Sequence, residues 1–319
     1  MGASAGQRVA LRDRVPARSP SEAAMPQDES PAIKAVRLGT TGYGSMHSEH
    51  RYGSRLPQLV WLLFSQRWVD DVPVHFFAIE HRAGLVLFDT GLDPAIGVDP
   101  RGYLDSALGA FILRRLFRWR LGPEDALDRQ LALMGLSPQA VTRVVFSHLH
   151  FDHTGCIRQV LHAPLMAPRS EWEVLSQPHP ERKWYLRQHL DIPGAKWELF
   201  DLAPCTDPAL APFKRCLDVM GDGSIMLLPT PGHTGGSVSM LLRSAGMPPL
   251  LLVADLCFEE AMLLEDRLPG VGEDYDAMLD SYARVRALRA ALPGLVILPS
   301  HDHDTAERLA RAMDDRASG

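Results

Sequence analysis

The chain has 319 residues, 46% of them hydrophobic and 23% charged, with a net charge of -6. That length and apolar content suffice for one large domain or two small ones with a sizeable core. The acidic balance removes any general electrostatic attraction to nucleic acid or to an anionic membrane, and no apolar run approaches the length of a membrane span.

Residues Met1 to Pro31 are rich in Ala, Ser, Pro and Arg and lack apolar periodicity, so they read as a disordered leader. Arg8, Arg12, Asp13, Arg14 and Arg18 interrupt any secretory h-region, and Met25 is an alternative start near the end of this stretch. Residues 32–319 read as one continuous domain. Short apolar runs ending in Gly, Pro or Asp predict strands over Ile33–Leu38, Leu59–Phe64, Val74–Glu80, Leu85–Asp89 and Arg143–Ser147. Further strands are predicted over Ser224–Pro229, Ser237–Leu242, Leu250–Asp255 and Leu295–Pro299. Helices are predicted over Tyr103–Arg118, Glu124–Leu133, Ser170–Gln177 and Asp274–Leu292. In the last, Met278, Tyr282, Val285, Leu288 and Leu292 recur at helical spacing. Strands dominate early and then alternate with helices, which favours two sheets packed together and covered by helices. Cys156, Cys205, Cys216 and Cys257 form no CxxC pair and read as free thiols of a reducing compartment, so a cytoplasmic location is expected.

The strongest chemical signal is Ser147-His148-Leu149-His150-Phe151-Asp152-His153. It follows a predicted strand. On an extended segment His148 and His150 share one side, and a turn can then bring in Asp152 and His153; helix geometry would scatter them. Imidazole and carboxylate together suit zinc, iron or manganese. His233 lies in Thr230-Pro231-Gly232-His233-Thr234-Gly235-Gly236, just past a predicted strand. Asp255 and His301 also stand where apolar runs end. Strand ends converging on one sheet edge make a rigid platform for a site. Any one of these residues, taken alone, is equally a satisfied loop residue.

His148-x-His150-x-Asp152-His153 followed by His233, Asp255 and His301 resembles the metallo-β-lactamase superfamily over roughly Val36 to Leu309. The resemblance implies an αββα sandwich of two mixed β-sheets flanked by helices, with two divalent metal ions at one edge. It gives one ion His148, His150 and His233, the other Asp152, His153 and His301, with Asp255 bridging. Zinc is the default, and iron, manganese or cobalt also suit a nitrogen and oxygen site. Asp89, in Phe88-Asp89-Thr90-Gly91, matches an Asp-Thr-Gly turn that supports the metal loop by orienting its imidazoles; otherwise it is a plain turn residue. Cys257, two residues after Asp255, reads as packing. Paired metals sharing a hydroxide would attack a carbonyl carbon, with Asp152 shuttling a proton to the leaving oxygen.

Within the superfamily the chain is most similar to the quorum-quenching N-acyl-homoserine lactonases, through the 147–155 motif, Val72-Pro73-Val74 ahead of Asp89-Thr90-Gly91, and His301-Asp302. A small-molecule lactone or related ester is therefore the expected substrate. Those lactonases carry a Tyr three residues after the bridging Asp, where its hydroxyl helps hold the substrate carbonyl. Here Phe258 keeps the ring and loses the hydrogen bond. The segment Phe111–Arg120 reads as a basic amphipathic helix. Its readings are an acyl-chain lid using Phe117 and Trp119, an anion clamp using Arg114, Arg115 and Arg118, a membrane-surface contact, a packed helix with solvated arginines, or a homodimer surface. Competing chemistries are phosphoester or organophosphate cleavage, thioester cleavage of the glyoxalase II kind, and di-iron redox chemistry.

Overall fold

The computed structural model describes residues 30–314. Most of the expected leader lies outside the described residues. Thirteen strands build two sheets. They are β1 (Ile33–His47), β2 (Trp68–His81), β3 (Gly84–Phe88), β4 (Phe117–Arg120), β5 (Val141–Val145), β6 (Pro164–Pro168), β7 (Lys196–Phe200), β8 (Ala203–Pro204), β9 (Arg215–Asp218), β10 (Ile225–Pro229), β11 (Val238–Leu242), β12 (Leu250–Ala254) and β13 (Val296–Pro299). The first sheet runs β4-β1-β2-β3-β5-β6-β7 and the second β13-β12-β11-β10-β9-β8. Both are mixed: β3, β5, β6 and β7 are mutually parallel, as are β12 and β13, while the other pairings are antiparallel.

Strand alternation explains the layering. Phe77, Ile79, Val86 and Phe88 point to the second sheet and meet Leu227, Met240, Leu242 and Leu252. Phe76, Ala78 and Leu87 point the other way, where Leu127 and Leu131 of helix Leu127–Leu133 cover them. The outer face of the second sheet is covered by helix Tyr275–Ala291, which buries Met278, Tyr282, Val285 and Leu288 and is capped by Asp274 accepting from the Ala277 amide. The order of layers is αββα. Among the described residues no helix is long and apolar enough to cross a membrane.

Three expectations are corrected. Leu59–Phe64 is helical, within Gln58–Phe64, following Pro57 at the N-cap; only Trp61 is buried while Leu59 and Phe64 stay exposed. A short apolar run carries no period that separates strand from helix. The predicted helix Tyr103–Arg118 breaks at the left-handed Asp105 into Pro100–Leu104 and Ala107–Leu116. Phe117–Arg120, read as helix, is an edge strand on β1, with Phe117 and Trp119 turned inward and Arg118 and Arg120 outward. Strands β6 to β9 went unpredicted; β6 carries Pro at both ends, and β8 and β9 have only two and four residues. Cys257 is fully buried in the core and all four cysteines are free, in line with the reading of Cys257 as packing.

Candidate metal centre

The site is assembled from chain segments leaving the sheets. After β5 the chain bends at Ser147, runs without regular structure to an extended His150, and then enters the single helical turn Phe151–Thr154. Gly155 is needed here because the neighbouring loop passes too close for a side chain: its amide donates to the Gly91 carbonyl at 2.8 Å, and a Cβ would lie 2.3 Å from the Asp93 nitrogen. The Ser147 carbonyl accepts from the Val238 amide at 3.0 Å, which ties this segment to the second sheet. His233 follows β10 in a turn where Gly232 has φ +140 and a Cβ would strike Met278. Ala254 takes a left-handed φ of 48 at the end of β12, a strained conformation for a residue with a Cβ, and Asp255 follows it. His301 stands just beyond β13.

All seven expected ligand residues converge. His148, His150 and His233 form one group, and Asp152, His153, Asp255 and His301 a second, each with its ligand-type atoms within 4.8 Å of one another. In the first, the His150 Nδ1 lies 3.1 Å from both His148 Nε2 and His233 Nε2. In the second, Asp255 Oδ1 is 3.0 Å from His153 Nε2 and 3.2 Å from His301 Nε2. Asp152 Oδ2 lies 3.9 Å from His153 Nε2 and 3.5 Å from His301 Nε2. The other oxygen of Asp255, Oδ2, faces His233 Nε2 at 3.5 Å, so this one carboxylate stands between the two groups.

The far ring nitrogens of His148, His153 and His301 are held by the protein, whereas His233 Nδ1 is buried without a partner among the described residues. His153 Nδ1 donates to Asp89 at 2.8 Å, and His301 Nδ1 donates to the Pro73 carbonyl at 2.7 Å. His148 Nδ1 contacts the Ser147 hydroxyl at 3.0 Å, and that hydroxyl donates to Asp89 at 2.8 Å. Asp89 also accepts from the Ser147 amide at 2.8 Å, from a left-handed conformation at φ 63. With the far nitrogen of each donating, Nε2 presents a lone pair to the centre.

Electrostatics divides the groups. Burial, then the neighbouring imidazoles, holds His148 well below the histidine range, and burial and His233 push His150 down to about 3. His233 is lowered by burial although Asp255 opposes it. Three neutral imidazoles thus point their nitrogens at one another. In the second group burial opposes charge on His153 and His301, yet the carboxylates win: Asp255, Asp89 and Asp152 raise His153 well above its ordinary value, and Asp255 and Asp152 raise His301 to about 10. Asp152 falls to about 2 because His153 and His301 outweigh its burial.

These residues fit a pair of cations. His153 Nε2 and Asp255 Oδ1 are 3.0 Å apart but misaligned for hydrogen bonding, and both are buried without a hydrogen-bond partner among the described residues. They aim at a common point rather than at each other. A place where carboxylates raise two imidazoles is one where positive charge is favoured, and the all-imidazole and carboxylate donor set suits zinc-like ions.

The centre opens on a cavity of about 480 Å³. Phe117, Trp119 and Phe258 lie on its wall with Met46, Val72 and Val271. Arg114, Arg115 and Arg118 do not line it: Arg115 donates to the Leu62 and Leu63 carbonyls, and Arg118 stacks over Trp68. That arrangement removes the anion-clamp reading. The cations on this wall are Arg182 and Lys183, the latter paired with Glu273 at 2.8 Å.

Sequence reasoning missed three buried polar residues. Glu171 is fully buried and accepts from the Leu149 amide, the Tyr185 hydroxyl, the Thr234 hydroxyl and the Gly236 amide. Arg51 is fully buried and donates to Glu259 at 2.8 Å and to the carbonyls of Phe258 and His301. His50 is buried beside Phe258. Their partners are 14 to 250 residues away, so no local pattern marks them.

The sequence model of the Metallo-beta-lactamase superfamily matches residues 69–301. The N-acyl homoserine lactonase AttM of Agrobacterium fabrum is 31% identical over 252 residues, covering 76% of this chain and 87% of that protein. The N-acyl homoserine lactonase AiiA of Bacillus thuringiensis subsp. kurstaki is 25% identical over 216 residues, covering 68% of this chain and 76% of its own. Among solved structures, an N-acyl homoserine lactone hydrolase with the product N-hexanoyl-L-homoserine bound at its catalytic metal center aligns with a TM-score of 0.68 at 19% identity, covering 86% of this chain and 96% of that one. The dizinc quorum-quenching lactonase AidC aligns with a TM-score of 0.57 at 19% identity, covering 86% and 92%. The structural likenesses speak for the αββα fold. The sequence match spans well over half the chain and takes in the 147–153 motif, His233, Asp255 and His301, and so the chain belongs to the metallo-beta-lactamase superfamily.

Proposed function

We propose that this chain is a dinuclear metal-dependent hydrolase that opens a lactone or a closely related ester, in the manner of N-acyl-homoserine lactonases. One observation carries the reading: the two oxygens of Asp255 face two separate ligand groups in the lining of a cavity that also has an aromatic wall. His148, His150 and His233 would hold one ion, and Asp152, His153 and His301 the other, with Asp255 shared. Zinc is the resident ion we favour. Bound there, such ions acidify water and polarise an ester carbonyl.

The chain's own residues do the rest. Asp89 fixes His153 directly and His148 through Ser147, so their lone pairs are aimed without reorganisation. The Asp152 side chain is 20% exposed, against 5% for Asp255, and is the carboxylate placed to take the proton released by the attacking water and return it to the departing alkoxide. Phe117, Trp119 and Val271 offer an apolar wall to an acyl chain and exclude water from it. The likeness to lactonases along three quarters of the chain supports the substrate class. A cytoplasmic location and a homodimer belong to the same reading, the dimer surface being the exposed Leu59, Phe64, Leu108 and Phe111.

The test is metal analysis of the purified protein joined to a hydrolysis panel of acyl-homoserine lactones, aryl esters, thioesters and phosphotriesters. We expect about two metals per chain and highest kcat/KM on a lactone. Highest kcat/KM on a phosphotriester or thioester would replace the lactonase reading, and a metal-free yet active protein would refute the metal chemistry.

A further inference from the structure

His50 is a buried polar side chain of the cavity wall that neither the ligand groups nor their supports employ. It sits in the short helix Ser48–Tyr52 beyond β1 and lines the same cavity as the metal centre. Its ring is enclosed by aromatic rings: Phe117 at 5.2 Å, Phe258 at 5.9 Å in a near-parallel stack tilted 25°, and Trp61 at 6.2 Å. Phe258 in turn meets His301 at 5.7 Å. The residue is 8% exposed, and its Nδ1 is buried with no hydrogen-bond partner among the described residues.

The backbone beneath the ring is pinned. The His50 carbonyl accepts from the Gly270 amide at 2.8 Å. Glu49 on one side is bound by Arg67 and Ser65, and Arg51 on the other by Glu259 and the Phe258 and His301 carbonyls. A ring held this firmly, with an unpaired polar atom, is the kind of buried group that a ligand completes.

We propose that His50 donates the hydrogen bond to the reacting carbonyl oxygen of the substrate that the chain cannot supply from Phe258. The inference rests on the lactone reading above. Phe258, three positions beyond Asp255, lines the cavity against His301, and its phenyl ring has no donor to offer. The imidazole stacked against that phenyl ring offers the missing donor from an adjacent position. Burial, and then the charge of His233, pushes His50 down to about 3, so it is neutral with one N–H near pH 7. His50 shares the lining of one cavity with His150 and His233 of the first ligand group and Asp152, Asp255 and His301 of the second.

The experiment uses the full-length, metal-loaded protein and N-hexanoyl-homoserine lactone. His50→Phe keeps the aromatic packing and removes the N–H. His50→Gln restores an N–H donor without the ring. We expect His50→Phe to lose about tenfold in kcat/KM, mainly in kcat, at unchanged metal content and Tm, as one donor to a developing oxyanion implies. His50→Gln should stay within about threefold of wild type. Adding Phe258→Tyr to His50→Phe should recover most of the loss, while Phe258→Tyr alone should gain less.

Full activity in His50→Phe overturns the assignment, as does an equal gain from Phe258→Tyr in both backgrounds. If His50→Phe fails to fold, a tenfold loss in a folded His50→Gln overturns it and near-wild-type activity supports it. A wild type that opens no lactone overturns the lactone reading and this assignment with it. An active wild type with an unimpaired His50→Phe variant overturns this assignment alone.

Discussion

Replacing Glu171 with Gln isolates what a buried charge does for the metal loop. The carboxylate is fully buried. Oε2 accepts from the Leu149 amide at 3.1 Å and the Tyr185 hydroxyl at 2.8 Å; Oε1 accepts from the Thr234 hydroxyl at 2.7 Å and the Gly236 amide at 2.9 Å. Glutamine leaves one oxygen and turns an NH2 group on two of these donors. Each hydrogen bond to a charged acceptor is worth about 1.5–3 kcal/mol, and the neutral amide recovers part of that because it is cheaper to bury. We expect a net loss of about 3 kcal/mol, or roughly 6 °C in Tm. Denaturant unfolding of metal-free protein reads this term without metal linkage. Because Leu149 lies between His148 and His150, and Thr234 beside His233, metal affinity should fall by about 10–100-fold as well. An unchanged unfolding midpoint would refute the account of Glu171 as a fully engaged acceptor. A lowered midpoint with wild-type metal affinity would show that it braces the fold without aiming the imidazoles.

Other outcomes follow from the same geometry. His148→Ala and His233→Ala should each lose metal and activity together, measured by metal analysis on the protein used for kinetics; retained activity at lost metal would contradict the proposed centre. Phe117→Ala or Trp119→Ala should impair long-chain lactones more than short ones, since each buried methylene is worth about 0.8 kcal/mol; equal loss at every chain length would mean simple destabilisation. Asp222, remote from the site, accepts from His81, Arg82 and Ser224, and its pKa is lowered because the bonds from Ser224 and His81 outweigh burial. A lowered folded pKa means stability present above the unfolded value and lost as pH falls through the folded one. Asp222→Asn should therefore be less stable than wild type at pH 7, with the gap closing below about pH 4.

How much was legible in the sequence depended on how far apart the deciding residues lie. The 147–153 motif could be read because its geometry is local: an extended run places His148 and His150 on one side, and the next turn supplies Asp152 and His153. His233, Asp255 and His301 are each ordinary on their own and became readable through their order after that motif. Helix Tyr275–Ala291 showed because its buried residues keep a 3.6 period over 17 residues. Gln58–Phe64 did not, because seven residues with an apolar run hold too little period and its exposed leucines break the rule that apolar means inside. Phe117 and Trp119 were read on a helix because of the run of arginines around them, but their spacing of two puts both on one face of a strand. Arg51 and Glu171 were illegible for a deeper reason. A charged residue is by default a surface residue, and only the tertiary fold supplies the carbonyls and amides that allow burial.

Those buried charges follow a pattern that bears on why they persist. Each ligand-bearing loop rests on an ionisable side chain from a distant segment: Asp89 beneath Ser147, His148 and His153, Glu171 beneath Leu149 and Thr234, and Arg51 beneath Phe258 and His301. Burying a charge is costly, and well-packed apolar residues in its place are often neutral or stabilising. Stability alone therefore does not account for three such side chains around one site. Direction does: a carboxylate with several acceptor positions, or a guanidinium with a fixed fork of donors, fixes the orientation of a loop in a way that apolar packing does not. The left-handed Asp89 and Ala254 add local strain at the same two places, one under His153 and one immediately before Asp255. Seven groups that repel, strain or stay unpaired without a cation can hold a common focus only if something else enforces their aim, and these buried charges supply that constraint before any ion arrives.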